Sequence, residues 1–192
     1  MNIAIYGGTF NPIHFGHIGM ALYTLTHTSL DELWLMVTPG NPLKDGNLLA
    51  QNELERLRCA QQTIQRVVSE HAVELKNKQL RVSDFEFSLP RPSFTAQTLQ
   101  ALQSAYPQNQ FSLLIGQDNL LVFKRWRNWQ WIAQNFPVLV YPRKGYDQIN
   151  GDNHPAEKDF LNLTFLSDAP TFDISSSQIR AKNVSNTDFS LA

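Results

Sequence analysis

"NIAIYGGTFNPIHFGHIGMAL", residues 2–22, decides how the chain is read, because the period of its apolar residues changes halfway along it. Asn2 to Tyr6 form a short Ile-rich run that reads as a buried strand, which the Gly7-Gly8 pair is expected to end. From His17 to Leu25 the apolar residues Ile18, Ala21, Leu22 and Leu25 recur at helical spacing. The junction between the two carries more than a turn needs. Glycines at 7 and 8 let backbone N–H groups approach a ligand with no Cβ in the way, and a helix start adds the positive end of its dipole. His14 and His17 flank Gly16 at i and i+3, placing two imidazoles on one side of that start, with Gly16 expected to leave room for phosphate between them. Packing or capping by the histidines is the competing explanation; their pairing downstream of Gly-Gly-Thr favours an anion site. The stretch has neither the Gly-Lys-Ser/Thr of a P-loop nor a third glycine at dinucleotide-fold spacing. Nor does it read as a zinc site, since Cys59, His27, His71 and His154 form no accompanying motif.

Outward from this junction, strand and helix patterns alternate. "ELWLMV" (Glu32 to Val37) reads as a second buried strand, and after the Pro-, Gly- and Asn-dense loop "TPGNPLKDGN" the residues Leu54, Leu57, Ala60, Ile64, Val67 and Val68 mark one face of a long helix. "RVSDFEF" suggests a strand, a helix follows from about Phe94 to Ala105 with Leu99 and Leu102 inward, and "FSLLIG" (Phe111 to Gly116) is a buried strand ending on glycine. The aromatic run "FKRWRNWQWI" leads through a helix to strands in "PVLVYPR" (Pro137 to Arg143) and "NLTFL". Parallel strands need crossover connections, so the alternation predicts an α/β fold, a single-domain, Rossmann-like, doubly wound parallel sheet over residues 1–192. Ligands of such sheets bind beyond the carboxyl ends of the strands, where the opening stretch, Gly116 and Arg143 all fall. The polar segment Lys144 to Asp159 reads as a mobile loop.

Composition narrows the classes. A chain of 192 residues can bury a substantial core without staples, and a formal net charge of -1 offers no bulk attraction to nucleic acid or an anionic membrane, so phosphate binding must be local. The single cysteine, Cys59, is expected to fill core, and with no second cysteine and no apolar run of membrane-spanning length a cytoplasmic protein is expected. Whether it forms a homo-oligomer is left open.

The segment from Gly7, Gly8, Thr9 and Phe10 through Asn11-Pro12-Ile13 to His14-Phe15-Gly16-His17 resembles the signature of the HxGH nucleotidyltransferases, and Ile174-Ser175-Ser176-Ser177-Gln178-Ile179-Arg180 resembles their second motif. Three further segments, "SFTAQTL" (Ser93 to Leu99), "IGQDNL" (Ile115 to Leu120, containing Gly116 and Asp118) with Trp126 downstream, and "YPRKG" (Tyr141 to Gly145), make the chain similar to bacterial nicotinate-nucleotide adenylyltransferases over residues 2 to about 181. Read from the residues alone, Ser175 is a helix N-cap with Gln178 three positions on, and Arg180 projects a charged fork.

The resemblance implies adenylyl transfer from ATP to nicotinate mononucleotide, with Mg²⁺ bound through the ATP phosphates. It implies that His14, His17 and Arg180 act on those phosphates; that Gly7, Gly8, Thr9, Phe10, Gly16, Gly116, Asp118, Ile174, Ser175, Ser176 and Ser177 form the nucleotide site; and that Lys44, Thr95, Trp126 and Arg143 serve the second substrate. Trp126 would stack on the pyridine, although a tryptophan here could equally be core. Lys44 could be merely solvated, and Thr95 merely a cap. The chain departs from the family at Asn11, where many members carry Asp, at Arg127, where Tyr is frequent, and in a C-terminal helical extension that reads as short or absent. Nicotinamide-mononucleotide and pantetheine-phosphate adenylyltransferases are the near alternatives, and a non-catalytic nucleotide-binding regulator the distant one. His14 argues against the pantetheine enzyme, which usually has Thr there, and retention of both histidines and Arg180 argues against the regulator.

Overall fold

The computed structural model describes residues 1–40, 53–145 and 157–182. Lys44, most of the polar segment after Lys144 and the C-terminal residues beyond 182 lie outside them. Six strands, β1 (Asn2–Gly8), β2 (Glu32–Val37), β3 (Gln79–Ser83), β4 (Gln110–Gly116), β5 (Val138–Tyr141) and β6 (Leu163–Phe165), pair in the order β3-β2-β1-β4-β5-β6, every pair parallel. The helices are α1 (Phe15–His27), α2 (Glu53–Glu70), α3 (Ala72–Leu75), α4 (Thr95–Ala105), α5 (Gln117–Leu121), α6 (Trp129–Asn135) and α7 (Ser176–Lys182).

Strand side chains alternate between two apolar layers, as the pleat demands. Ala4, Tyr6, Leu33, Leu35 and Leu114 join Leu22, Leu25, Leu57, Ala60 and Ile64 of α1 and α2 on one face. Ile3, Ile5, Trp34, Met36, Leu113 and Ile115 meet Leu99, Leu102, Ile132 and Ala133 of α4 and α6 on the other. A sheet buried on both faces explains why its strands read as continuous apolar runs. The strand order reverses direction between β1 and β4, and a crevice opens beyond their carboxyl ends.

Four expectations are corrected. Gly7 and Gly8 do not end β1 but stay in register with Met36 and Val37. The "RVSDFEF" strand stops at Ser83, and Phe85–Ser88 coil into a 3-10 turn that buries Glu86. Cys59 is exposed rather than core, because the inward positions of α2 are taken by Arg56, Leu57, Ala60, Thr63, Ile64 and Val67. Leu54, on the first turn of α2, is likewise half exposed at 49%.

Candidate active site

Two pockets lie at the carboxyl edge of the sheet and share Tyr6, Gly7, Gly8, Gly116 and Asn119 in their walls. The first is mainly apolar and runs beneath Phe94, Thr95, Thr98 and Trp126. The second runs past Thr9, Phe10, His14, His17, Asp118 and Arg143 to Ser175, Ser176 and Ser177. Apart from Lys44, which lies outside the described residues, and Arg180, which lines neither pocket, the candidates fall into these two adjoining sites, with Arg143 in the second rather than beside Trp126 and Thr95.

His14 is the N-cap of α1, one residue before the helix, and is 4% exposed. Burial, reinforced by the charge of Arg143, lowers its pKa from 6.5 to about 4, so the ring is neutral at pH 7. Its Nδ1 has no hydrogen-bond partner. The backbone N–H of His14 donates to Nδ1 of His17 at 3.2 Å, which leaves the proton of a neutral His17 on Nε2 as a donor. The two rings stack with centroids 3.7 Å apart, so no phosphate fits between them and any anion must meet their edges. Gly16 serves a different purpose from the one expected: a Cβ there would lie 2.9 Å from Ile174 and 3.1 Å from the His14 ring. Gly19, one turn on, would bring its Cβ to 2.1 Å from the Phe172 ring. The two glycines open a groove along α1 in which the irregular segment 172–174 lies, and this docks the serine motif beside the histidines.

The Gly-Gly pair divides its roles. Nothing lies within 4 Å of a Cβ at Gly7, so that position faces the open crevice, whereas at Gly8 the Cβ would come 3.1 Å from Phe10. Phe10 takes a left-handed φ of 43° and packs its ring against Tyr6 (5.6 Å) and His17 (5.0 Å). At Gly116 a Cβ would sit 2.4 Å from Oδ1 of Asp118, so the glycine is needed for the carboxylate to fold back over the strand end. Arg143 donates from Nη1 to Oδ2 of Asp118 at 2.7 Å, while Asp118 Oδ1 is buried and unpartnered.

In the second motif Ser175 caps α7 by accepting the Gln178 N–H at 3.2 Å. Ser176 donates to the Pro12 carbonyl at 3.0 Å, tying the motif to the opening stretch. Arg180 spends Nη1 on the carbonyl of Asn11 and Nη2 on Ser177, and the walls of the second pocket stop at Ser177 without reaching it. Asn11 itself is 5% exposed and contributes its backbone carbonyl to that contact.

In the first pocket Trp126 packs one side on Phe123 at 5.1 Å and buries an Nε1 with no partner, a donor aimed at no protein acceptor. Thr95 and Thr98 both line the wall, and the N-cap of α4 is Phe94 rather than Thr95. The guanidinium of Arg127 lies 4.9 Å over the Phe94 ring. Sequence reasoning missed Glu86, 6% exposed in this wall, which accepts the Thr98 hydroxyl at 2.8 Å and the Ser93 hydroxyl at 3.3 Å. Burial raises its pKa against the pull of hydroxyl donors from Thr98, Thr38 and Ser93. It also missed Arg56, 1% exposed behind the loops that follow β1 and β2. A charged residue in an apolar helical stripe was the available signal for Arg56; Glu86 gave none, because the run around it reads as a strand.

Residues 5–182 match the cytidylyltransferase-like family. Among curated relatives, a protein of Azobacteroides pseudotrichonymphae genomovar. CFP2 is 39% identical over 98% of this chain and 90% of its own, and one of Bacteroides fragilis (strain YCH46) is 42% identical over 92% and 79%; both carry the name "Probable nicotinate-nucleotide adenylyltransferase". The fold matches that of Plasmodium falciparum nicotinic acid mononucleotide adenylyltransferase complexed with NaAD, with a TM-score of 0.70 at 16% identity, covering 94% of this chain and 82% of that one.

Proposed function

The chain belongs to the nicotinate-nucleotide adenylyltransferases of the cytidylyltransferase-like family, and we propose that its adjoining pockets hold nicotinate mononucleotide and ATP as the adenylyl group passes between them. The observation that carries this reading is the shared wall of Gly7, Gly8 and Gly116: the two sites meet where backbone is least shielded, at the switch point of the sheet.

The apolar pocket takes the pyridine against Trp126 and Thr95, and the polar pocket takes ATP between the His14–His17 edge and the serine motif. A phosphate oxygen of the mononucleotide attacks the α-phosphorus of ATP. As that P–O bond forms, the bond from the α-phosphorus to the bridging oxygen breaks, and pyrophosphate leaves with the electron pair, giving nicotinate adenine dinucleotide. The nucleophile is already an anion, so alignment and charge stabilisation are the protein's main contributions. Neutral His14 offers a ring N–H and His17 offers its Nε2–H to phosphate oxygens, and α1 points its N-terminus at them. Asp118 and Arg143, already paired, form a rim that orients the ribose and phosphate without moving. Arg180 reaches the β- and γ-phosphates only by exchanging the Asn11 carbonyl for phosphate oxygens, which makes its contact conditional on ATP. Among the described residues no group of three His, Cys, Asp or Glu side chains could hold a metal, so Mg²⁺ fits as a passenger on the ATP phosphates, where it would neutralise their charge. The reaction is that of one catalytic domain acting in the cytoplasm; no described helix is long and apolar enough to cross a membrane.

The test is pyrophosphate release with ATP and Mg²⁺ on nicotinate mononucleotide, nicotinamide mononucleotide and phosphopantetheine. Turnover with the first is expected to exceed the other two, and absence of turnover with all three would defeat the reading. His17→Ala removes an N–H aimed at developing charge, and kcat should fall on the order of 10² to 10³. Near-normal turnover in that variant would remove His17 from the mechanism.

A further inference from the structure

Arg56 is a charged side chain that is 1% exposed, and it forms no ion pair within 4 Å among the described residues, although the charge of nearby Glu53 acts on it. Nη1 donates to the carbonyls of Thr9 and Thr38, the second at 3.0 Å, and Nη2 donates to the Pro39 carbonyl at 2.7 Å. Nε is buried and unpartnered. Glu53, one turn earlier on α2, is taken by Arg91 through two hydrogen bonds of 2.9 and 2.8 Å. Burying a guanidinium is costly, and an apolar residue would join α2 to the sheet without that cost, as Leu57, Ala60 and Ile64 do. What Arg56 adds is a fixed direction for three carbonyls in the two loops that follow β1 and β2.

That direction has a consequence on the far side of each peptide. In a planar trans peptide the C=O and the N–H point opposite ways. The Thr9–Phe10 peptide is trans, since the only cis bonds among the described residues precede Pro12 and Pro92. With the Thr9 carbonyl on Arg56, the Phe10 N–H is turned away from α2, and no acceptor for it is found among the described residues. The preceding peptide is held similarly: the Thr38 N–H donates to the Gly8 carbonyl at 2.9 Å, which turns the Thr9 N–H away from β2. Thr9 and Phe10 both line the pocket of His14 and His17.

We infer that Arg56 is a positioning residue: by holding the Thr9 carbonyl it aims the Phe10 N–H, beside that of Thr9, at the phosphate bound over Gly7 and Gly8. The inference rests on the phosphate reading of that pocket. Arg56 itself touches no substrate.

Two measurements test it. The first titrates isotope-labelled wild-type protein with inorganic pyrophosphate, and the Phe10 amide resonance should shift strongly. The second compares wild type, Arg56→Lys and Arg56→Met by calorimetry, with pyrophosphate and with adenosine, below the unfolding temperature of each protein. Arg56→Met should weaken pyrophosphate by roughly tenfold or more, Arg56→Lys by less, and adenosine by under about twofold in either. Equal losses for both ligands, or affinities intact while only thermal stability falls, would reduce Arg56 to a structural residue. A Phe10 amide that stays still while pyrophosphate binds overturns the inference even if neither variant folds. Wild-type protein that binds no pyrophosphate overturns both the inference and the phosphate reading beneath it.

Discussion

At the scale of single residues, His14 ties the site to the stability of the whole protein. Its pKa is lowered to about 4 in the folded chain and returns to an ordinary 6.5 on unfolding. Between those values the unfolded chain binds a proton that the folded chain does not, so stability rises with pH across this window and is lost as pH falls from about 6.5 to about 4. The shift corresponds to on the order of 3 kcal/mol at its full extent, and denaturant unfolding at pH 7 and pH 4.5 should show a clear loss in the wild type that His14→Gln abolishes. His14 was legible in the sequence because its partner, His17, is only three positions away. Glu86 was not, because its donors are Thr98 of α4 and Ser93 just before it, and the carboxylate is buried only when the 3-10 turn meets that helix. Thr98→Val withdraws one of those donors from a buried carboxylate and should cost about 1 to 3 kcal/mol by thermal or denaturant unfolding. An unchanged stability would mean that water or another hydroxyl replaces it.

At the scale of elements, α1 is more than a support for two histidines. Its glycines at 16 and 19 form the groove that receives Ile174 and Phe172, and through them α1 sets where the serine motif stands. Gly19→Ala places a Cβ 2.1 Å from a ring atom of Phe172, so the segment must shift. We expect a stability loss of roughly 1 to 3 kcal/mol and a KM for ATP that rises more than the KM for nicotinate mononucleotide, because the serines line only the polar pocket. Equal changes in the two KM values would argue against this coupling. The sequence located α1 to within two residues at each end, yet read Gly16 as space for a ligand. A glycine's neighbour in space cannot be read from its neighbours in sequence, and here that neighbour is more than 150 residues away.

At the scale of the whole molecule, the order β3-β2-β1-β4-β5-β6 places the ends of β1 and β4 side by side, and both pockets open from that reversal. A product that spans both should therefore bind the folded state more tightly than a ligand of one pocket. Nicotinate adenine dinucleotide should raise the unfolding temperature by more than AMP at equal concentration, and at about a hundred times its Kd the stabilisation should approach ~2.7 kcal/mol, a rise of several degrees. Equal shifts from the two ligands would mean that only one pocket is occupied. The sequence by itself determined the α/β class, the strand succession and the positions of the glycine–histidine and serine motifs, because period, turn chemistry and motif spacing are local properties of the chain. Tertiary structure alone decided the stacking of His14 on His17, the duty of Gly16 toward Ile174, the turn of Arg180 toward Asn11 and the burial of Arg56 behind the loop that follows β1. Each of these is a contact whose energy depends on which distant surfaces meet, and the crossovers of a parallel sheet bring those surfaces together only when the whole chain has folded.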